Sequence, residues 1–189
     1  AADRESCVEM IEEESERLAR IVDQILVTGR MDGGDIVLDE APCDLSGLAA
    51  SVIESAEVQQ PKGIDFALVV APDLPVVRCD ESKLRQVLVN LVENAVKYSP
   101  GGGTVEVRLA SENGTARIAV RDTGLGIPPG DRERIFEKFF RLDPALARGV
   151  GGTGLGLYIV HELVERMGGS VHLESRLGEG STFEVVLPV

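Results

Sequence analysis

The segment from Glu81 to Tyr98 constrains the fold more than any other part of the chain. Leu84, Leu88, Leu91, Val92 and Ala95 recur at helical spacing and form one apolar stripe, flanked by Val87, Val89 and Val96. A helix that is apolar over more than half its girth must be buried on several sides. Asp80 precedes it as the expected N-cap. One polar stripe remains, with Asn90, Asn94 and Lys97 at i, i+4 and i+7. It admits two readings, a solvated face or the wall of a cleft. In a cleft, neutral amide oxygens can ligate Mg2+ and Lys97 can meet phosphate as a point charge.

The rest of the chain alternates between short strand and helix patterns. Strands are expected at 36–41 and 64–70, a short extended piece at 76–79, and a helix at 45–58. Residues 105–110 and 115–121 read as a hairpin across the SENG turn. A helix over 154–167 stops at Gly168-Gly169, and 171–175 with 182–187 make a last hairpin. Hairpins with helices between them predict an α/β two-layer sandwich, its sheet mixed and mostly antiparallel. Ahead of this lies a helix over 3–31. Val8, Ile11, Ser15, Leu18, Val22, Ile25 and Gly29 are spaced 3 and 4 in turn, the seam of a coiled coil or bundle. An ordinary amphipathic helix lying on its own domain fits the same pattern. The MDGGD break places the domain boundary between 1–34 and 35–189.

Three further segments carry chemistry. DTGLGI (122–127) follows the strand at 115–121. Its glycines permit close backbone approach, and Asp122 can accept from an amine such as the exocyclic group of adenine. Alone, the motif is weak and reads first as an ordinary strand-end turn. GGTGLGL (151–157) opens the following helix, and backbone N–H groups at a helix start favour phosphate. It lacks the GK[ST] of a Walker loop and follows a loop, unlike a dinucleotide fingerprint. Between the two lies IFEKFFR (135–141), in a loop of roughly 30 residues, a length that points to a functional lid. Its Phe residues could anchor the lid while Arg141 and Arg148 reach phosphate.

In this order and spacing, NLVENAVKYS, DTGLGI, IFEKFFR and GGTGLGL resemble the asparagine, first glycine, phenylalanine and second glycine boxes of bacterial sensor histidine kinases. LARIVDQILVTGRMDGG resembles the end of that family's second dimerisation helix. The resemblance implies the histidine-kinase-like ATPase fold and ATP with Mg2+ as ligands. It implies that Asn94 ligates the metal, with Asn90 one turn back. Lys97 is similar to the phosphate-contacting lysine, and Tyr98 to the aromatic near adenine. Asp122 resembles the adenine-reading aspartate, with Gly124, Gly126 and Ile127 in its loop. Gly152, Thr153, Gly154, Leu155, Gly156 and Leu157 fall in the phosphate-facing box, and Arg148 in the lid. The implied lid covers about 127–153. Homodimerisation through the dimerisation helices of a longer parent and a response-regulator receiver domain as partner follow from the same resemblance.

Net charge is −13 at pH 7, which argues against a nucleic-acid partner. Cys7, Cys43 and Cys79 form no CxxC pair and read as reduced thiols. No apolar run approaches the roughly 18 residues of a membrane span, which says nothing about a longer parent; the chain is expected to be cytoplasmic, its parent open to anchoring in the inner membrane. The chain starts inside a helical pattern without Met and is expected to be an excised piece. The family's phosphoacceptor is a His followed by Glu or Asp, with Pro a few residues on. The 189 residues contain no such segment. His161-Glu162 lacks the Pro and reads as a structural pair placed by core packing, and His172 as having no partner nearby. Two other functions compete. Gyrase- and chaperone-type ATPases carry a Glu where Asn90 stands, and Asn cannot act as a base on water. A non-catalytic dimeric scaffold, or a response-regulator phosphatase module, would not need every nucleotide position filled.

Overall fold

The computed structural model describes residues 15, 18, 19, 21, 22, 24–29, 31, 33, 37–59, 63–142 and 151–189. The chain divides into two compact units, residues 1–36 and 37–189. In the first, the described residues from Ser15 to Met31 are helical, and Leu18, Val22, Ile25 and Leu26 are each more than half exposed. Val8 and Ile11 of the expected seam lie outside the described residues.

The second unit runs β1 (Ala41–Cys43), α1 (Leu45–Val58), β2 (Ile64–Val70), β3 (Val77–Cys79), α2 (Glu81–Lys97), β4 (Gly103–Glu112), β5 (Thr115–Asp122), α3 (Gly156–Arg166), β6 (Ser170–Arg176) and β7 (Gly180–Pro188). Five strands form one sheet in the order β2-β4-β5-β7-β6. Only the β2–β4 pairing is parallel; β4–β5, β5–β7 and β6–β7 are antiparallel. The sheet is therefore mixed and mostly antiparallel, as expected. Val105, Val107, Leu109, Ala116, Ile118, Val120, Val185 and Leu187 alternate along β4, β5 and β7 and are buried. The helices pack on that face, with α2 between α1 and α3.

Local chemistry sets the element ends. Asn113 and Gly114 both have positive φ, which matches the twist of a two-residue hairpin between β4 and β5. Asp80 caps α2 by accepting from Lys83 N at 3.1 Å, and its other oxygen accepts from Asp39 N at 3.2 Å. Burial resists ionisation of Asp80, but these bonds and the Ser82 hydroxyl outweigh it and hold the carboxyl below its ordinary range. Gly168 ends the C-terminal turn of α3 in the left-handed region, with Gly169 N bonded back to Val164 O at 2.9 Å.

Two expectations are corrected. Residues 37–40 form no strand; the strand is Ala41–Cys43, paired with the three residues of β3. The backbone N–H of Asp39 is taken by the Asp80 side chain, and the partner strand is too short to extend the ladder. Helix α3 begins at Gly156, two residues later than expected. Gly152 and Gly154 have φ of 147° and 73°, and a helix cannot propagate through such residues.

Candidate active site: a nucleotide-type cleft

A cleft opens between α2, the loop after β5, the start of α3 and β7. It is lined by Asn94, Tyr98, Asp122, Gly126, Ile127, Ile135, Phe140, Arg141, Leu142, Leu157, Ser181 and Phe183. Seven of these, Asn94, Tyr98, Asp122, Gly126, Ile127, Arg141 and Leu157, are residues the sequence singles out for the site.

At one end lies Asp122, the last residue of β5 and 4% exposed. Strand register sets Ser181 opposite it. Its Oδ1 accepts from Gly124 N at 2.8 Å and from Ser181 N at 3.2 Å. Among the described residues, Oδ2 receives no hydrogen bond. Burial raises the carboxyl above its ordinary pKa, against the opposing pull of the two N–H donors. The loop is held by two glycines that tolerate no side chain. A Cβ on Gly124 would lie 2.1 Å from Tyr98 O, and one on Gly126 1.9 Å from Arg176 O. Leu125 N also bonds to Tyr98 O at 2.9 Å, so the loop is docked on the end of α2.

Beside Asn94, Gly156 starts α3 against α2; Gly156, Asn90 and Lys97 do not themselves line the cleft. Its backbone comes close enough that a Cβ would sit 3.3 Å from Asn90 Oδ1 and 3.9 Å from Asn94 Nδ2. Asn90 is only 8% exposed, yet among the described residues neither side-chain amide makes a hydrogen bond. Asn94 is partly exposed, and side-chain amides without protein partners leave donors and acceptors open to a bound polar group. Lys97 lies one turn on, its Nζ 5.0 Å from the Tyr98 ring centroid and 2.4 Å from where a Gly152 Cβ would be. Burial, then the like charge of Arg141, lowers its pKa, while Glu93 opposes. An anion beside it would favour the charged form. Thr153 Oγ1 accepts from Leu155 N at 3.2 Å, and Leu155 is buried.

The phenylalanine segment is attached at several points. Phe139 N bonds to Gly154 O at 3.0 Å, and Phe139 itself has φ of 63° and is two-thirds exposed. Phe136 packs against the rings of His161 and Phe183, at 5.6 and 6.4 Å between centroids. The Arg134 guanidinium lies over Phe140 at 4.5 Å. His161 is therefore not a core residue: its ring lies between Phe136 and Glu165, 3.6 Å from a carboxylate oxygen, with 38% of its side chain exposed. His172 has a partner after all, the Ser170 hydroxyl at 3.0 Å. Arg148 lies outside the described residues. Ser181 lies just outside the strand expected at 182–187 and Phe183 within it; the register of β7 on β5, which sets both on the face of Asp122, is not visible in the sequence.

Residues 79–189 match the model of the histidine kinase-, DNA gyrase B- and HSP90-like ATPases. The chain belongs to this family. Its relatives include the circadian input-output histidine kinase CikA of Synechococcus elongatus, 36% identical over 96% of this chain and 24% of CikA. Sensor-like histidine kinase SenX3 of Mycolicibacterium smegmatis is 37% identical over 93% of this chain and 46% of its own length. Sensor histidine kinase WalK of Bacillus subtilis is 34% identical over 93% of this chain and 29% of WalK. The chain thus spans less than half the length of each of these three relatives. Full-length ShkA, solved in complex with AMPPNP, superposes with a TM-score of 0.84 at 36% identity, covering 100% of this chain and 39% of ShkA. The mycobacterial sensor histidine kinase MprB gives 0.68 at 33%, covering 79% and 97%. The domain is a histidine-kinase catalytic domain, and the gyrase-type reading is not favoured. Among the described residues no helix is long and apolar enough to cross a membrane.

Proposed function

We propose that this chain binds ATP with Mg2+ and supplies the catalytic half of a protein-histidine kinase. The observation that carries the reading is the cleft. A buried carboxylate with one unused oxygen and the unpartnered amide of Asn94 both line the cleft, and Asn90, Lys97, Gly152 and Gly156 adjoin the Asn94 side without lining it. AMPPNP in the related ShkA supports a nucleotide as occupant.

In this reading Asp122 Oδ2 accepts from the adenine amine, and Tyr98, Ile127 and Leu157 wall the base. Gly126 and Gly124 shape that loop. The phosphates lie at 152–156, where Gly152, Gly154 and Gly156 admit them and Lys97 matches their charge. Thr153 and Leu155 hold the turn, and Arg148 joins from the lid. Asn94, with Asn90 behind it, holds Mg2+, which when bound offsets charge on the phosphates. Asn90 offers no base to activate water, so transfer to a protein histidine is favoured over hydrolysis. The acceptor histidine lies on a helix of a dimerisation domain, of which residues 1–34 are the end, and the phosphoryl group passes on to a receiver-domain aspartate. The chain works on the cytoplasmic side, as a homodimer in the longer protein.

Calorimetric titration with ATP, in Mg2+ and in chelator, tests the first step. Binding should weaken at least about tenfold without Mg2+, and Asn94→Ala should remove most of that difference while leaving the melting temperature unchanged. Equal affinity in both buffers would take the metal role from Asn94.

A further inference from the structure

Behind Asp122 lies a buried hydroxyl that does not line the cleft. Ser175, on β6, is 9% exposed. Its Oγ accepts from Ile127 N at 2.8 Å, and it lies 3.0 Å from Gly180 O and 3.0 Å from Ser181 Oγ. A serine hydroxyl has one proton to give and two lone pairs to receive with. Gly180 O can only accept, so the Ser175 proton goes there. One lone pair is taken by Ile127 N. The Ser181 hydroxyl must then be the donor in the serine pair. All three valences of Ser175 are used.

The consequence appears in the cleft. Ser181 does line it, beside Asp122. With its proton committed to Ser175, Ser181 can present only lone pairs to a ligand. The free Oδ2 of Asp122 also presents only lone pairs while ionised. The base end of the cleft is thus a surface of acceptors, and the acceptor character of one of them is imposed from outside it. The backbone is fixed there too: Gly178 N bonds to Leu125 O at 2.7 Å, and Arg132 Nη2 bonds to Ser175 O.

We infer that Ser175 is a specificity-determining positioning residue, which selects a 6-amino over a 6-oxo purine nucleotide by holding the Ser181 proton away from the base. This rests on the nucleotide reading above and adds a residue that touches no ligand. An adenine places an amine, a pure donor, before the acceptors. A 6-oxo purine places a carbonyl there, and two facing acceptors repel it. Without Ser175 the Ser181 hydroxyl is free to turn and donate to that carbonyl.

The test compares ATP with ITP, which changes only the group at position 6 and its neighbouring ring proton. Dissociation constants are measured calorimetrically for the unmutated chain, Ser175→Ala, Ser175→Thr, Ser181→Ala and the double alanine variant, each with its melting temperature. Ser175→Ala should reduce the ATP-over-ITP preference by at least about tenfold, mainly by improving ITP relative to ATP. Ser175→Thr, which keeps the hydroxyl, should retain it. In the Ser181→Ala background, adding Ser175→Ala should change the preference less than twofold, because the proton it controls is gone. A merely structural Ser175 would weaken both nucleotides alike and add its effect in either background, and that result overturns the inference. Should Ser175→Ala not fold, Ser181→Ala alone must still lower the preference, and an unchanged preference there overturns it equally. No binding of either nucleotide by the unmutated chain would instead refute the nucleotide reading itself.

Discussion

Asp122 shows how one side chain can cost stability and serve a site. Its carboxyl is pushed up by burial because the two N–H donors on Oδ1 only partly replace water. A carboxyl with a raised folded pKa favours the folded state most when protonated, below its ordinary value. That contribution is lost as pH rises through the raised value. Asp122→Asn keeps an oxygen for Gly124 N and Ser181 N and removes the buried charge. The ligand-free variant should therefore melt higher than the parent at pH 7 to 8, and the gap should close as pH falls through the carboxyl range. The same change sets a donor before the adenine amine, so ATP should bind at least about tenfold more weakly. Thermal melts across pH, paired with ATP titration, read both effects. A variant that melts lower at neutral pH would mean that Asp122 is not a charged group under strain of burial. The identity of Asp122 was legible because it stands at a strand end before two glycines. Its partner Ser181 was not, because contact across β5 and β7 depends on a register that composition does not reveal.

At the scale of elements, the loop after β5 and the turn between β6 and β7 are built into each other. Gly126 and Gly180 both have positive φ, and each fits backbone of the opposite segment where a Cβ would stand. A Cβ on Gly180 would lie 2.1 Å from Asp122 O. Gly180→Ala should destabilise the domain by about 3 kcal/mol, combining left-handed strain with a backbone clash. It should also weaken nucleotide binding, since Asp122 must shift. Gly101→Ala is the control, with nothing within 4 Å of its Cβ and ordinary φ. It should stay within about 0.5 kcal/mol of the parent. Urea unfolding of both variants decides this, and equal midpoints would show that the two loops are not interlocked. Sequence periodicity located α1, α2 and β2 well, since apolar spacing over seven or more residues is unambiguous. It misplaced β1, whose three residues are too few to show a period. It also misread the start of α3, because the glycines needed for close approach look, in sequence, like a helix opening.

For the whole molecule, the question is what the two units can do together in one chain of 189 residues. Phosphoryl transfer needs a nucleophile in line with the γ-phosphate. Only two histidines are present. His172 is on β6, bonded to Ser170, and His161 is on α3, against Phe136 and Glu165. Neither lines the cleft. Leu157 at the start of α3 lines the cleft; His161, one turn on, is turned to Phe136 and Glu165. Asn90, buried beside Gly156, cannot take a proton from water. The chain alone should therefore bind ATP, hydrolyse it slowly and incorporate almost no phosphate. Adding a helical hairpin that carries a His-Glu-x-x-x-Pro segment, from a sensor kinase similar in sequence, should yield acid-labile, base-stable label on the added hairpin. Incubation with γ-labelled ATP, with and without that hairpin, followed by acid and base treatment, measures this. The Asn94→Ala variant should abolish the label. Strong acid-labile label on the chain alone that disappears in His161→Gln would make His161 the acceptor and overturn the assignment. Fast steady hydrolysis by the chain alone would move the activity toward the gyrase and chaperone branch, despite the amide at position 90.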